Sequence, residues 1–435
     1  MSVLTDAHRE RARAAVRPVR MGRVVGLLGL RVTVSGITAA LGDLLEVHGA
    51  AGPVPVEVVA SGGGVLTCLP LAETTGLRAG DHVHDFGEGL RIPVGEALRG
   101  RVLDGLGRAV DDGPSLDDLE SVVVDHVVPA ALSRPRIDRQ LSLGVRALDG
   151  LISCGRGQRL GIMAGSGVGK SSLLSMIARG TDAEISVIAL IGERGREVRE
   201  FLENDLGEEG LRRSIVVVAT SDEPPVVRLR AAFVATRIAE WFRDSGRHVV
   251  LMMDSLTRVA LAQREIGLSA GEPPATRGFP PSVFALLPRL LERAGTSPAG
   301  SITGLYTVLV EGDDLQDPIG DSVRSILDGH VVLSRDLATS GHFPSIDVLE
   351  SISRVASAVI EPTARQDAQH LRRLLAAHRS VRELVEIGAY VAGTDPDADQ
   401  ALALMPRINA FLRQDMDDST DAADTWSALH ELVTP

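Results

Sequence analysis

The chain has 435 residues, 44% of them apolar and 24% charged, with a formal net charge of -13. At roughly 100–200 residues per domain, this length holds two to four domains, and the composition excludes a mainly disordered chain. The acidic balance argues against a protein that coats nucleic acid, which needs clustered positive charge. With 2 Trp, 2 Tyr and 8 Phe, stacking platforms for single strands are sparse. No apolar run approaches the ~18 residues of a membrane span. Two cysteines, Cys68 and Cys154, make neither a disulfide framework nor a zinc site, so a reducing cytoplasm is the expected compartment.

Residues 1–20 form an Arg/Ala-rich arm with no apolar core segment, and no signal peptide is expected. From Met21 the pattern changes to short apolar or alternating stretches at 22–28, 31–35, 44–47, 54–59 and 64–69. Gly-rich turns separate them every 8–12 residues, the spacing of a small β-barrel or sandwich, here ending near Phe86. Residues 91–135 are turn-rich. An alternating α/β region follows, with strands predicted at 159–164, 186–191, 215–219, 249–253, 301–310 and 330–333. Helical patterns at 171–179 and 226–242 lie between them, which predicts a mostly parallel sheet covered on both faces. After Arg365 the spacing of Leu371, Leu374, Leu375, Val381, Leu384 and Val385 is helical. Asp395 before Pro396 reads as an N-cap, and Pro406 is expected to break or kink the helix that follows. The expected organisation is an arm (1–20), a β-barrel domain (21–90), an α/β domain (91–365) and a C-terminal helical domain (366–435).

Of the 45 basic residues, one is lysine, Lys170; the other 44 are arginine. It stands in Ala164-Gly-Ser-Gly-Val-Gly-Lys-Ser171, after an apolar strand and before a helix. Gly165, Ser166, Gly167, Val168, Gly169, Lys170, Ser171 and Ser172 thus form a candidate phosphate-binding loop. Its N–H groups and the helix N-terminus behind them would face phosphate oxygens. The strict pattern has Gly where Ala164 stands, and Ala is small enough to substitute. A compact ammonium retained where every other basic position is arginine points to a task a planar guanidinium cannot perform. Lys170 would reach the β- and γ-phosphates, and Ser171 would ligate Mg²⁺.

Asp254 ends the buried-strand run 249–253 and is the expected Mg²⁺ partner at the ligand edge of the sheet. Glu193 follows the strand at 186–191 in Gly192-Glu-Arg-Gly-Arg-Glu197. From spacing alone it reads equally as a water-orienting carboxylate or as part of a solvated Arg/Glu cluster.

With these residues in view, the chain resembles the flagellar type III protein-export ATPase family of the rotary ATPase alpha/beta superfamily. The resemblance runs over roughly residues 20–415. It is carried by residues 94–114, 144–174 (GVRALDGLISCGRGQRLGIMAGSGVGKSSLL), 254–265 (DSLTRVALAQRE), 271–293 and 311–334. It ends in PSIDVLESIS at 344–353, which fits the superfamily signature P-[SAP]-[LIV]-[DNH]-x-x-x-S-x-S. The resemblance implies a RecA-like ATPase core between an N-terminal barrel and a C-terminal helical domain. It assigns Lys170 and Ser171 to phosphate and Mg²⁺, Glu193 to water activation and Asp254 to the metal. Arg194 and Arg258 match arginines of the family site. Phe343 matches an aromatic placed against adenine, although core packing would explain it as well. Arg354 matches the arginine that reaches into a neighbouring subunit's site, which makes the active site a subunit interface. A homo-oligomeric ring, typically hexameric, follows.

The implied function is Mg-ATP hydrolysis that energises delivery of unfolded export substrates. The implied partners are export-gate membrane proteins, a regulatory adaptor, a stalk protein and substrate–chaperone complexes, with no specific nucleic acid. The implied place is the cytoplasm, peripherally at the inner face of the cell membrane. The flagellar reading over a virulence-type (injectisome) paralogue rests on Gly155-Arg-Gly-Gln-Arg159, the loop glycines, Ile387-Gly-Ala-Tyr390 and 411–416. Two rival readings make different demands on the sequence. An RNA-dependent ring helicase or terminator would need a basic barrel with aromatics, and residues 21–90 hold one aromatic, Phe86. A nucleotide-binding subunit without turnover would lack the acid at Glu193.

Overall fold

The structure, a computed structural model, describes residues 21–85, 89–310 and 317–434. The arm at 1–20, Phe86 and residues 311–316 of the resemblance lie outside them.

The first apolar stretches become β1 (Met21–Leu28), β2 (Arg31–Ser35), β3 (Leu44–Gly49), β4 (Gly52–Gly62) and β5 (Val65–Pro70). A sixth strand, β6 (His82–Asp85), closes them into a barrel of order β1-β2-β5-β4-β3-β6, every pairing antiparallel. Alternation puts Val32, Val34, Leu45, Val47, Val56, Cys68 and Val83 inside, each at most 1% exposed. Closure settles the barrel-or-sandwich choice and leaves no free strand edge.

Two short ribbons follow, β7 (Arg91–Val94) with β9 (Glu120–Val123), and β10 (Gln140–Leu141) with β11 (Cys154–Gly155). The main sheet has the order β19-β18-β12-β17-β15-β13-β14-β8. Its strands are β8 (Val102–Asp104), β12 (Arg159–Ala164), β13 (Ile185–Ile191), β14 (Ser214–Ala219), β15 (His248–Asp254), β17 (Ser301–Leu309), β18 (Gly329–Leu333) and β19 (Ile346–Ser353). The small β16 (Gly295–Thr296) pairs antiparallel with β17. From β18 to β8 the path is parallel, and only the edge strand β19 runs antiparallel within it. Central strands such as β13 are buried along their whole length, as both-face coverage requires. The sequence reading placed no strand at β8 or β19, which complete the two ends of the sheet.

The three C-terminal helices, Pro362–Glu386, Pro396–Leu412 and Ala422–Val433, share a core with the main sheet. Leu371, Ile408, Phe411 and Leu429 belong to the same apolar cluster as Leu173, Leu174 and Ile177 of the helix Lys170–Gly180. Asp395 does cap its helix, accepting from the N–H of Asp397 and Ala398. Pro406 does not break the chain: the helix Pro396–Leu412 runs through it. Proline there removes one bond, to the Leu402 carbonyl, while Ile408, Phe411 and Leu412 beyond it are buried in the shared core.

The chain divides into two compact units, one holding the barrel and Glu265–Glu272, the other Arg91–Arg264 and Pro273 onward. No helix among the described residues is long and apolar enough to cross a membrane.

Candidate active site

The loop 165–169 leaves β12 at the carboxyl end of the sheet and enters the helix Lys170–Gly180 through Gly169, in a left-handed conformation with φ 89°. Gly167 also has positive φ, 74°, which explains two of the loop glycines. Ala164 has no positive φ and is 1% exposed, so the departure from Gly at that position costs nothing in backbone strain. Ser166, Gly167 and Ser171 face solvent, whereas Val168 is buried and its carbonyl accepts from Ser345 Oγ at 2.6 Å. The loop is thereby tied to the second residue of the 344–353 signature.

The sole lysine sits between two acids. Its Nζ donates to Asp254 Oδ1 and lies 3.4 Å from Glu193 Oε1. Asp254 ends β15, is 3% exposed, and also accepts from Thr307 Oγ1 of β17 at 2.7 Å. Glu193 follows β13 through Gly192, whose φ is 72°. The Gly192 N–H donates to the Ala219 carbonyl at 2.7 Å, and the Glu193 carbonyl accepts from Ser221 N at 3.0 Å, both bonds holding the turn against the end of β14. Burial raises the Glu193 carboxyl above the ordinary range, with the Lys170 charge opposing the shift. A raised but titratable carboxylate beside a phosphate loop suits proton acceptance.

Arg258 stacks its aliphatic stem on Gly192, where a Cβ would lie 3.0–3.1 Å from three of its carbons. Its Nε is buried with no hydrogen-bond partner among the described residues. Phe343 is 46% exposed, so core packing does not account for it. Its ring edge lies 3.5 Å from where a Cβ on Gly169 would be. It lines a cleft of about 530 Å³ with Gly169, Ser172, Met176, Gln414 and Met416. Apolar walls with a few polar groups fit a purine base beside the phosphate loop.

Two predicted site residues lie apart from this cluster. Arg194 is 73% exposed and pairs with Glu197 at 3.4 Å. Arg354 follows β19, whose first residue, Ile346, is level with Leu333 and so with Ala164 at the phosphate-loop edge. Its last residue, Ser353, is level with Gly329 at the opposite edge. About 23 Å of strand separates the two ends, more than an arginine side chain spans.

Residues 413–416 and Asp418 also line the cleft, in a segment that no sequence motif assigns to the site. Arg146 holds it in place: its Nε donates to the Phe411 carbonyl at 2.8 Å and its Nη1 to Thr420 Oγ1 at 3.1 Å. The Arg146 N–H donates to Gln414 Oε1 at 3.0 Å. Both segments stood in the sequence only as parts of the resemblance; their meeting across some 270 residues has no local signal. Among the described residues no group of three or more His, Cys, Asp or Glu could hold a metal alone. Ser171 and Asp254 fit Mg²⁺ nonetheless, since that ion commonly takes one or two protein oxygens and fills its shell with phosphates and water.

Comparison with known proteins identifies the family. Residues 144–353 match the ATP synthase alpha/beta family, nucleotide-binding domain, and residues 360–431 match the T3SS EscN ATPase C-terminal domain. The chain is 48% identical to the flagellum-specific ATP synthase of Pseudomonas aeruginosa, over 98% of this chain and 96% of that one. It is also 48% identical to the type 3 secretion system ATPase of Xanthomonas euvesicatoria, over 99% and 97%. Structures of the assembled ATPase EscN from the enteropathogenic E. coli type III secretion system, alone and with its central stalk EscO, superpose with TM-scores of 0.89 and 0.88. Both are 44% identical and cover 95% of this chain and 100% of theirs. The chain therefore belongs to the ATP synthase alpha/beta family, within its branch of flagellar and type III secretion ATPases.

Proposed function

We propose that this chain hydrolyses Mg-ATP to energise delivery of unfolded substrates through a flagellar type III export apparatus. The observation that carries the chemistry is the sole lysine, held between Glu193 and Asp254 at the head of the phosphate-loop helix. Without nucleotide the ammonium is neutralised by the two carboxylates; with nucleotide, the β- and γ-phosphates take that place. Ser171 and Asp254 would hold Mg²⁺, which supplies charge neutralisation on the phosphates when bound. Glu193 then accepts a proton from the attacking water, and Arg258, packed against Gly192, adds positive charge beside it. The exposed Arg194 would need to turn inward to join the site. The cleft beside Phe343 takes the adenine.

The position of Arg354 supports assembly. It cannot serve its own loop at the far end of β19, so it completes the site of a neighbour in a homo-oligomeric, six-membered ring. In this account the barrel (21–90), ATPase core (91–365) and helical domain (366–435) keep the family's division of labour. The remaining partners are a stalk, a regulatory adaptor, substrate–chaperone complexes and a membrane export gate, which place the ring at the inner face of the membrane. The assembled and stalk-bound relatives support the ring and the stalk.

The test mixes two inactive variants, Lys170→Ala and Arg354→Ala. An interface that joins the loop of the second to the arginine of the first is intact, so mixing restores ATP turnover. Absence of any recovery in rings of confirmed mixed composition contradicts the in-trans arrangement.

A further inference from the structure

Arg354 leaves the sheet at an edge whose geometry is set from inside. Gln158, in the turn between β11 and β12, is 0% exposed. Its Oε1 accepts from the Gly155 N–H at 2.9 Å. Its Nε2 donates to the Asp328 carbonyl and to Ser353 Oγ, both at 3.0 Å. The amide therefore has a partner for its acceptor and for both donor directions, and two of these partners flank Arg354. The Asp328 carbonyl also accepts from the Arg354 N–H at 2.9 Å. Ser353 Oγ passes its own proton on to the Ser153 carbonyl at 2.8 Å.

The surroundings leave this arrangement little slack. The Asp328 carboxylate accepts from Arg159 N and Nε, each at 3.1 Å, and the Asp328 N–H donates to the Arg159 carbonyl. Gly329 lets β19 come close, since a Cβ there would lie 2.3 Å from the Ile352 carbonyl oxygen. By contrast the Arg354 side chain is exposed, with a 3.3 Å contact from Nη2 to the Arg324 carbonyl and no ion pair among the described residues. An exposed guanidinium, with a hydrogen bond to the Arg324 carbonyl, thus stands beside a strand end held through the Arg354 N–H and the Ser353 hydroxyl.

We propose that Gln158 is a positioning residue for Arg354, holding Ser353 and Asp328 so that the arginine projects toward the neighbouring protomer at a set place. The proposal rests on the in-trans reading of Arg354 above. It also gives the last serine of the 344–353 signature a physical task, since Ser353 is the hydroxyl that Gln158 holds. Gln158 also precedes β12, which carries the phosphate loop, and a role in its own protomer's site is the competing explanation.

Complementation separates the two. Gln158→Ala should lose turnover on the order of 10²-fold, the effect of a misplacement of about 1 Å, with KM changed less than about threefold because binding within the protomer is kept. Gln158→Ala mixed with Lys170→Ala should regain activity, since roughly one interface in four then joins an intact loop to a well-placed arginine. Gln158→Ala mixed with Arg354→Ala should regain none, because every arginine in such a ring is missing or misplaced. Ser353→Ala, a small change that keeps the strand, should fall in the same group as Gln158→Ala and guards against a folding defect in the glutamine variant. Recovery between Gln158→Ala and Arg354→Ala places Gln158 with the phosphate loop and overturns the proposal. The pair Lys170→Ala with Arg354→Ala is run alongside. If that pair fails to recover, the in-trans reading itself has failed; if it recovers while the groupings above do not hold, only the role of Gln158 has.

Discussion

Replacing Lys170 by Met keeps the length of the side chain and removes its charge. The lysine side chain is 12% exposed, that of Asp254 4% and that of Glu193 18%. The variant therefore leaves two poorly solvated carboxylates facing each other, with the Thr307 hydroxyl as the remaining side-chain donor to Asp254 among the described residues. Removing one partner of a buried pair costs about 3–5 kcal/mol. Most of that belongs to Asp254, since the Glu193 contact is longer, at 3.4 Å. For a unit of this size about 2 °C per kcal/mol applies, so the nucleotide-free variant melts about 6–10 °C below the parent near pH 8. The pH dependence has a definite sign. Burial already raises the Glu193 carboxyl, with the Lys170 charge opposing the shift; without the ammonium it rises further above its unfolded value, and the folded state binds more protons in between. Stability is then lost as pH rises through that window and regained on acidification, by up to about 1.4 kcal/mol per pH unit from this one carboxyl. Calorimetry of parent and Lys170→Met at pH 8 and pH 5.5 reads both effects, and Asp254→Asn in the variant background should return part of the loss. A deficit under about 1 kcal/mol, or one equal at both pH values, refutes the reasoning.

Other consequences are equally direct. Lys170→Arg keeps the charge but should lower turnover by 10²-fold or more, because a planar guanidinium cannot occupy the point between the phosphates; steady-state phosphate release near the parent rate would count against it. Glu193→Gln should bind ATP normally while hydrolysis falls on the order of 10²–10⁴-fold. Since burial raises the Glu193 carboxyl and only its ionised form accepts a proton, parent activity should begin to fall on acidification at a higher pH than an ordinary glutamate would give. A pH–rate profile of parent and variant should show that limb in the first and not in the second. Gly144→Ala should destabilise the ATPase unit by about 2–5 kcal/mol, combining a left-handed penalty with overpacking. Gly144 has φ 76°, and a Cβ there would lie 2.6 Å from the Cα of Gly180, the last residue of the phosphate-loop helix; an unchanged melting temperature would show that the two segments can separate freely.

The sequence disclosed what local chemistry determines. Runs such as 186–191 and 249–253 became buried parallel strands because they are apolar without interruption. The phosphate loop was readable from three glycines, a strand before and a helix after. Other features depended on partners far along the chain. Val102–Asp104 is three residues long and becomes part of the main sheet only by pairing with β14. His82–Asp85 has a single apolar residue, Val83, and closes the barrel by pairing with both β1 and β3. Pro406 carried a local breaking signal that the buried residues after it outweighed. The 411–418 wall of the cleft depends on the grip of Arg146, which no periodicity reports. Arg194 and Arg354 are named from resemblance; the first lies at the surface, and the second follows the end of β19 opposite the phosphate loop, which no local pattern reports.

The central claim is that catalysis requires a neighbour. Specific ATPase activity measured against protein concentration, with sedimentation in the same samples, addresses it most directly. The account predicts that activity per protomer rises as protomers become rings, and that Arg354→Ala flattens the rise while each protomer still binds nucleotide. Activity per protomer that stays constant across the transition from protomers to rings would contradict it.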